Sequence, residues 1–210
     1  TGTNYRELLD LDDKYSGYQK VAANVIAMDG TNWFSSFTID KGSKEGIKKG
    51  MNVIAGSGLV GIVTDVGPNF AKVRSIIDDS SNVSSMVLTT KDNFNVGGSL
   101  KSMNQDKVLP FTELRDEDDK VKVGDPVVTS YVSDQYQEGI LIGYIASIEK
   151  NANNLTKSGT ITPVVDFQHL REVLVITTLK DTGEKELSSQ KASDTQTETQ
   201  DNTETQKSQE

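Results

Sequence analysis

The sequence predicts an all-β protein made of two small β-barrels, with a short α-helix before them and a disordered tail after them. From residue 20 onward, short runs rich in Val, Ile, Thr and aromatic residues alternate with clusters of Gly, Asn, Asp and Ser, which is the pattern of strands and turns. No helical period separates these runs, so barrels or sandwiches are favoured over a parallel sheet. A strand–loop–strand unit also recurs, at residues 50–63 and again at residues 124–145, which indicates two related β domains.

Residues 1–18 are predicted to form a helical lead, because Leu8, Leu11 and Tyr15 recur at three- and four-residue spacing in a charged stretch. One interpretation is a short amphipathic helix that packs on the first barrel. The other is the end of a longer coiled coil, in which these three residues mediate self-association. A helix of this length is marginal on its own, so either interpretation requires a packing partner.

Nine strands are predicted in the part of the chain that follows. They cover residues 20–28, 34–40, 51–55, 59–66, 71–77, 83–88, 121–130, 140–148 and 172–178. We assign residues 19–110 to the first barrel and residues 111–180 to the second. Residues 164–178 could complete either barrel, so a strand exchange between the two stays open. Within that segment, DFQHL is predicted to be a single turn capped by Asp166, with Phe167 and Leu170 on the same side.

A glycine-rich stretch at residues 39–69 holds seven of the seventeen glycines and contains a G-x-G-x-x-G pattern at Gly56, Gly58 and Gly61. A dinucleotide-binding motif requires a helix directly after the glycines, because the helix N-terminus holds the pyrophosphate. Residues 59–66 are instead rich in β-branched side chains and end at a Gly-Pro pair. The stretch is therefore interpreted as two strands joined by a glycine-rich turn.

The C-terminal residues 181–210 are predicted to be a disordered acidic tail. They contain eight acidic and three basic residues and no aromatic residue, and so carry −5 of the total formal charge of −9. Such a composition cannot bury enough apolar surface to offset the entropy of ordering. The remaining chain is only mildly acidic, and its four arginines form no basic stripe, so nucleic-acid binding is not predicted.

The residue composition restricts the kinds of catalytic and metal-binding sites that the chain can form. The chain has no cysteine, which excludes disulfides, thiolate catalysis and cysteine zinc sites. Its one histidine, His169, has Asp166 as its nearest acidic residue, and no G-x-S-x-G elbow is present. An aspartate cluster at residues 116–119 lacks the glycine and glutamate of a calcium loop, because Val121 and Val127 occupy those positions. No catalytic, cofactor-binding or metal-binding residue is therefore predicted.

Several motifs resemble the MreC family of bacterial rod-shape-determining proteins, in the order in which that family has them. They are WFSSFTIDKGSKEGIKKGMNVIAGSGLVGIVTDVGPNFAKVRSIIDDSSNVS at residues 33–84, VKVGDPVVTS at 121–130, EGILIGYI at 138–145 and TPVVDFQHLREVLVI at 162–176. The resemblance covers residues 6–178. One departure is Tyr131, which follows VVTS where many members of the family have glycine.

The resemblance implies a single-pass membrane protein with a coiled coil and two extracytoplasmic β-barrels, anchored by a membrane helix that lies upstream of this chain. It also implies a non-enzymatic scaffold for lateral peptidoglycan synthesis. The implied partners are further copies of the chain, as a dimer or a filament, elongation penicillin-binding proteins, MreD and the actin-like MreB. No cofactor is implied.

The loop at residues 131–138, which the second copy of the repeat inserts, is the predicted partner-contact region. Tyr131 and Tyr136 are its candidate contact residues, because loops present binding side chains on a rigid scaffold. Two alternatives remain at this stage. One is a secreted module that binds the cell wall, with Trp33 as a sugar platform. The other is a chymotrypsin-like serine hydrolase that uses His169.

Overall fold

A computed structural model of the chain describes residues 17–29, 33–56, 58–153 and 155–181. The described residues up to Leu179 belong to one compact unit, and residues 180–210 are a separate unit of which only Lys180 and Asp181 are described. The elements are β1 (Lys20–Met28), β2 (Ser36–Ile39), a 3-10 turn (Ser43–Glu45), β3 (Asn52–Ala55), β4 (Gly58–Val66), β5 (Ala71–Ser75), β6 (Asn82–Val87), β7 (Asn93–Gly97), α1 (Leu100–Asp106), β8 (Leu109–Leu114), β9 (Pro126–Thr129), β10 (Leu141–Lys150), β11 (Lys157–Pro163) and β12 (Glu172–Ile176).

The strands pair into two closed rings of six, so the all-β, two-barrel prediction is confirmed. The first ring follows the order β4-β3-β12-β1-β2-β5, and β5 pairs back onto β4. The second ring follows the order β11-β8-β7-β6-β9-β10, and β10 pairs back onto β11. The rings meet where Leu141 of β10 pairs in parallel with Gly58 of β4. Residues 1–16 of the helical lead predicted for 1–18, and residues 182–210 of the acidic tail predicted for 181–210, lie outside the described residues; Gly17 and Tyr18 form a turn before β1.

The two rings repeat one pairing plan. In each, a glycine before a strand donates its backbone N–H to the returning strand: Gly50 to the Val63 carbonyl at 2.9 Å, and Gly124 to the Ile145 carbonyl at 2.8 Å. Strands β3, β4 and β5 thus correspond to β9, β10 and β11. The correspondence extends around both rings only if β12 takes the place that β6 has in the second ring. The first ring is therefore a permuted copy, whose first strand comes last in the chain.

This permutation changes the predicted domain boundary. The pairings place β6, β7 and β8 in the second ring, because β6 pairs with both β7 and β9. The change from the first ring to the second thus falls between Ser75 and Asn82, whereas residue 110 was the expected boundary. Strand β12 returns to the first ring, where it lies between β1 and β3. The sequence left open which barrel residues 164–178 complete, and the pairings of β12 show that it is the first.

Local sequence patterns do not predict four of the elements. Strands β7, β8 and β11 contain Asn, Gly or Pro, residues that weigh against a strand when a sequence is read locally. Pairing on both sides holds these strands in place. Helix α1 spans only seven residues and depends on capping: Ser102 donates its N–H to the Ser99 hydroxyl at 3.2 Å, and Leu100 donates its N–H to Asp79 at 2.8 Å.

The G-x-G-x-x-G pattern lies in the β3–β4 hairpin, as the turn interpretation predicts. Gly56 occupies the tip with a φ of +58°, and the segment after Gly58 continues as a strand, so no helix N-terminus is available to a phosphate. Gly61 has a packing role, because a Cβ on it would lie 2.7 Å from the Cα of Ser75 and still closer to the carbonyl oxygen of Arg74. The pattern is therefore a barrel hairpin without a phosphate site.

Candidate partner-contact loop

The loop at residues 130–140 joins β9 to β10, and its own hydroxyl groups accept hydrogen bonds from its backbone. Ser130 donates its N–H to the Ser84 carbonyl at 2.9 Å, which fixes the start of the loop on β6. The Ser130 hydroxyl then accepts the N–H of Val132 at 3.2 Å, and the Ser133 hydroxyl accepts the N–H of Tyr136 at 3.0 Å. Two successive serine turns therefore give this loop a defined conformation.

Thr129 closes the base of the same loop. Its hydroxyl donates to the Gln137 carbonyl at 2.6 Å and accepts the N–H of Ile140 at 2.8 Å, while its carbonyl accepts the N–H of Gly139 at 3.0 Å. Thr129 is fully buried, so these bonds are shielded from water and a broken one would leave a costly unpaired group. The two ends of the loop are thereby locked together.

Asn52 fastens the loop to the first ring. This β3 residue is 2% exposed, and its side chain donates to the Gln135 carbonyl at 2.9 Å and accepts the Gln137 N–H at 2.8 Å. The Gln137 side chain in turn donates to the Thr178 carbonyl at 3.1 Å, next to β12. One loop of the second ring is thus bonded to two strand regions of the first ring. These bonds fix the position of the two rings relative to each other near the loop.

The structure buries one of the two predicted contact residues. Tyr136 is only 3% exposed, so its prediction as an exposed contact is wrong. The bond from its N–H to Ser133 turns the chain back towards the first ring. Burial raises the pKa of the Tyr136 hydroxyl to about 12, although the positive charge of Arg74 acts in the opposite direction. Tyr136 is a packing residue beneath the loop.

Tyr131, the other predicted contact residue, is 55% exposed, and its neighbour Val132 is 59% exposed. These two exposed side chains are neighbours in sequence, on a loop whose backbone is held by hydrogen bonds on both sides. A tyrosine on a rigid support loses little entropy on binding and is a frequent hot-spot residue in protein interfaces. The arrangement is suited to contact with another protein.

His169 and Asp166 form a local turn. The Asp166 carboxylate accepts the Gln168 N–H at 3.0 Å and lies 2.8 Å from Nδ1 of His169. The hydrogen bond from His169, with that from Gln168, lowers the pKa of Asp166. Both side chains are exposed, and no hydroxyl is hydrogen-bonded to His169 in the part of the chain that the structure describes. The geometry is the capped turn expected of DFQHL, with Phe167 and Leu170 buried on one side.

The aspartate cluster at residues 116–119 binds a lysine of its own chain. Asp116 accepts the Nζ of Lys157 at 2.6 Å and the N–H groups of Lys120 and Val121 at 2.8 and 3.1 Å. Lys157 also lies 2.5 Å from Asp119. The Asp116 side chain is 1% exposed, so this carboxylate is buried within the chain and is not part of a solvated acidic surface. No group of three His, Asp or Glu side chains suited to a metal occurs among the described residues.

Trp33 does not offer a sugar platform, because it is 6% exposed and its Nε1–H donates to the Asn104 side chain on α1. It lines one wall of a cleft of about 350 Å³, together with Met103, Lys107 and His169. Stacking on a sugar ring requires an exposed aromatic face. The tryptophan instead joins the first ring to α1, and the alternative of a wall-binding module loses the residue that was proposed as its sugar platform.

The structure leaves Leu8, Leu11 and Tyr15 outside the described residues, so their role in self-association stays a prediction. It also adds residues that local patterns did not single out. Asn52 was detectable as the polar member of the strand MNVIA, since a polar residue at a buried strand position needs a partner. Lys157 had no such signal, because its aspartates lie about forty positions earlier in the chain. Among the described residues, no helix has the length and apolar character needed to cross a membrane.

Comparison with known proteins gives a consistent family relationship. The family described as "Rod shape-determining protein MreC, barrel core" matches residues 25–177. The cell shape-determining protein MreC of Listeria monocytogenes is 34% identical over 173 residues, which are 81% of this chain and 58% of that protein. The chain therefore spans a little over half the length of this relative.

Solved structures show the same fold. A structure of MreC from Listeria monocytogenes has a TM-score of 0.68 at 31% identity, with 86% of this chain and 90% of that chain covered. The major periplasmic domain of a cell shape-determining filament MreC has a TM-score of 0.62 at 21% identity, with 75% and 94% covered. A chain of the complex between penicillin-binding protein PBP2 and MreC from Helicobacter pylori has a TM-score of 0.56 at 12% identity, with 76% and 100% covered.

Proposed function

This chain belongs to the MreC family of rod shape-determining proteins, and we propose that it is a non-enzymatic scaffold that organises lateral peptidoglycan synthesis. In this proposal the rings hold contact surfaces in a fixed arrangement, and partners assemble on them. The partners are an elongation penicillin-binding protein, MreD, MreB and further copies of the chain. A membrane helix upstream of the chain anchors it, so that both rings lie on the extracytoplasmic face of the cell membrane.

The observation that carries the proposal is the exposure of Tyr131 and Val132 on a loop that is bonded to both rings. A scaffold needs contact residues whose position does not depend on the partner, because ordering a flexible loop weakens binding. The similarity to a chain from a PBP2–MreC complex supports a penicillin-binding protein as the partner. The similarity to a filament-forming periplasmic domain supports self-association.

Replacing Tyr131 with a photo-crosslinking residue in intact cells is expected to capture an elongation penicillin-binding protein. Val123 is the matched control, since it is 63% exposed and precedes strand β9 whereas Tyr131 follows it. We expect no capture of that protein from position 123. With purified proteins, Tyr131→Ser should weaken binding about tenfold or more, the effect of losing an aromatic hot-spot residue. Its melting temperature should stay unchanged, because Tyr131 is exposed.

Equal capture from positions 123 and 131 would show that the contact is not specific to the loop. Capture from neither position, combined with unchanged affinity of the Tyr131→Ser variant, would remove the loop from the interface. The melting temperature separates loss of contact from loss of fold, so a weak binder that melts early would not count in favour of the proposal.

Self-association through Leu8, Leu11 and Tyr15 has a direct test, because the chain has no cysteine and any introduced thiol is unique. Leu11→Cys should form a disulfide-linked dimer under mild oxidation, since residues on the seam of a coiled coil face their counterparts. Asp12→Cys, one position away and on another side of the helix, should remain largely monomeric on a non-reducing gel. Equal yields at both positions, or no dimer at position 11, would contradict the coiled-coil interpretation.

A further inference from the structure

One end of the first ring carries two loops that form a single surface. The loop at residues 40–51 joins β2 to β3, and the loop at residues 67–70 joins β4 to β5. Both lie towards the end where the chain enters β1, because β2 runs antiparallel to β1 and ends with Ile39 opposite Val25, and β5 begins with Ala71 opposite Ile39. The carbonyl of Gln19, just before β1, accepts the N–H of Thr177, so the chain leaves β12 at this same end. We call these two loops the basic tip.

Four lysines stand on the basic tip within nine residues: Lys41, Lys44, Lys48 and Lys49. The last three are exposed, and among the described residues none of the four forms an ion pair. The lysine loop also holds two carboxylates: Glu45 accepts the backbone N–H of Gly42 at 2.8 Å, and Asp40 accepts two hydrogen bonds from Asn24. Asp65 lies near the end of β4, two residues before the other loop. Among the carboxylates that the structure describes, none therefore neutralises the ammonium groups of the tip by contact.

The two loops are fastened to each other. Ser43 and Lys44 donate their N–H groups to the carbonyls of Gly67 and Pro68, at 2.9 and 3.2 Å, and Gly67 donates its N–H to the Phe70 carbonyl at 2.8 Å. The bonds leave the Phe70 ring 43% exposed beside the lysine loop. The basic tip is thus a fixed surface that combines positive charge with an aromatic side chain.

Charge is distributed unequally between the rings. Residues 17–77 and 171–176, which build the first ring, contain eight basic and five acidic side chains, a net charge of +3. Residues 78–170, which build the second ring, contain eight basic and fourteen acidic side chains, a net charge of −6. An anionic surface therefore attracts the first ring and repels the second, and this separation sets an orientation as well as an affinity.

We propose that the basic tip docks on a membrane surface rich in anionic lipids. Lysine ammonium groups are attracted to the headgroup phosphates, and an exposed phenylalanine partitions into the interface beside them. The docking adds a second contact to the proposed membrane anchor and does not depend on it, because the tip belongs to the rings themselves. It would hold the first ring against the lipid and direct the acidic second ring away from it.

The test is flotation of the whole chain with vesicles made of about equal parts phosphatidylglycerol and phosphatidylcholine. The chain should float with these vesicles and stay in solution with pure phosphatidylcholine. A triple variant, Lys44→Gln, Lys48→Gln and Lys49→Gln, should lower the partition coefficient about a hundredfold, at about fivefold for each lysine. The matched control removes three exposed lysines of the second ring, Lys91, Lys101 and Lys122, and should leave the partition coefficient unchanged.

Phe70→Ser adds a second readout, because it should weaken binding without changing its dependence on salt concentration. Failure of the unmodified chain to float with anionic vesicles would overturn the proposal, as would equal losses in the two triple variants. Binding to soluble inorganic polyphosphate without binding to vesicles would assign the tip to another polyanion and would also overturn it. The proposed scaffold role is judged separately, by crosslinking at Tyr131.

Discussion

A Gly61→Val variant is expected to unfold about 12 °C below the unmodified protein. Gly61 on β4 lies against β5 so closely that a Cβ would stand 2.7 Å from the Cα of Ser75 and closer still to the Arg74 carbonyl. Both neighbours are backbone atoms, so no side-chain rotation relieves the overlap, and the two strands must separate locally. Overlap of this kind costs about 4 kcal/mol, which corresponds to the stated shift for a chain of this size.

The matched control is Gly97→Ala on β7, where the nearest atom to an added Cβ is the Pro110 carbonyl oxygen at 4.0 Å. That variant should melt within about 2 °C of the unmodified protein. Thermal unfolding followed by circular dichroism measures both, and titration with a dinucleotide should show no binding in either. A Gly61→Val variant that melts normally, or tight dinucleotide binding by the unmodified chain, would refute the barrel-hairpin interpretation.

Asp116→Ala should lower the free energy of unfolding by about 3 kcal/mol. The substitution removes the buried carboxylate that accepts Lys157 and two backbone N–H groups, and it leaves a lysine whose side chain is 11% exposed with only the exposed Asp119 as a partner. Removing one member of a buried pair costs more than the pair contributes, because the remaining charge stays desolvated. Denaturant titration at neutral pH measures the loss.

The effect of Asp116→Ala should depend on pH in a defined direction. Burial opposes ionisation of Asp116, but the bonds from Lys157 and from the backbone outweigh it and lower the pKa below its ordinary value of 3.8. A lowered folded-state pKa contributes stability above the unfolded-state pKa, and that stability disappears as the pH falls through the folded-state pKa. The difference between variant and unmodified protein should therefore be constant near neutral pH and shrink well below pH 3.8.

Two further variants separate the buried pair from surface charge. Asp118→Ala breaks an exposed pair with Lys120 and should change stability little, since such pairs contribute little in water. The double variant Asp116→Leu and Lys157→Met should recover much of the stability that Asp116→Ala loses, because it leaves no buried charge without a partner. A double variant as unstable as Asp116→Ala would contradict this account, as would an equally large effect at position 118.

The positions of most strands could be predicted from the sequence, whereas the strands with which they pair could not. The Val and Ile residues of 20–28 and of 59–66 indicate strands by local preference alone. Whether β12 lies beside β3 or beside β9 depends on which ring needs a sixth strand, and no local pattern contains that information. For the same reason the boundary between the rings was misplaced, since β6 to β8 are recognised as second-ring strands only through their pairing.

In the candidate loop, too, local sequence predicts some features and not others. Its position and the exposure of Tyr131 followed from an insertion relative to the first copy of the repeat. The burial of Tyr136 did not, because it depends on the Ser133 hydroxyl and on Asn52, which lies more than eighty residues earlier. A tyrosine in a polar loop has the same local sequence signature whether it faces water or another domain. Only the folded chain distinguishes the two.

The return of β12 to the first ring has a consequence for the order of folding. The second ring is contiguous, from Asn82 to Pro163, and can close once its own strands are available. The first ring must wait for Ile176, which pairs with Lys20 across almost the whole chain. Until then β1 and β3 have open edges, which are templates for wrong pairing, and contacts this distant in sequence form slowly. A chain cut short before β12 would therefore hold one finished barrel and one that cannot close.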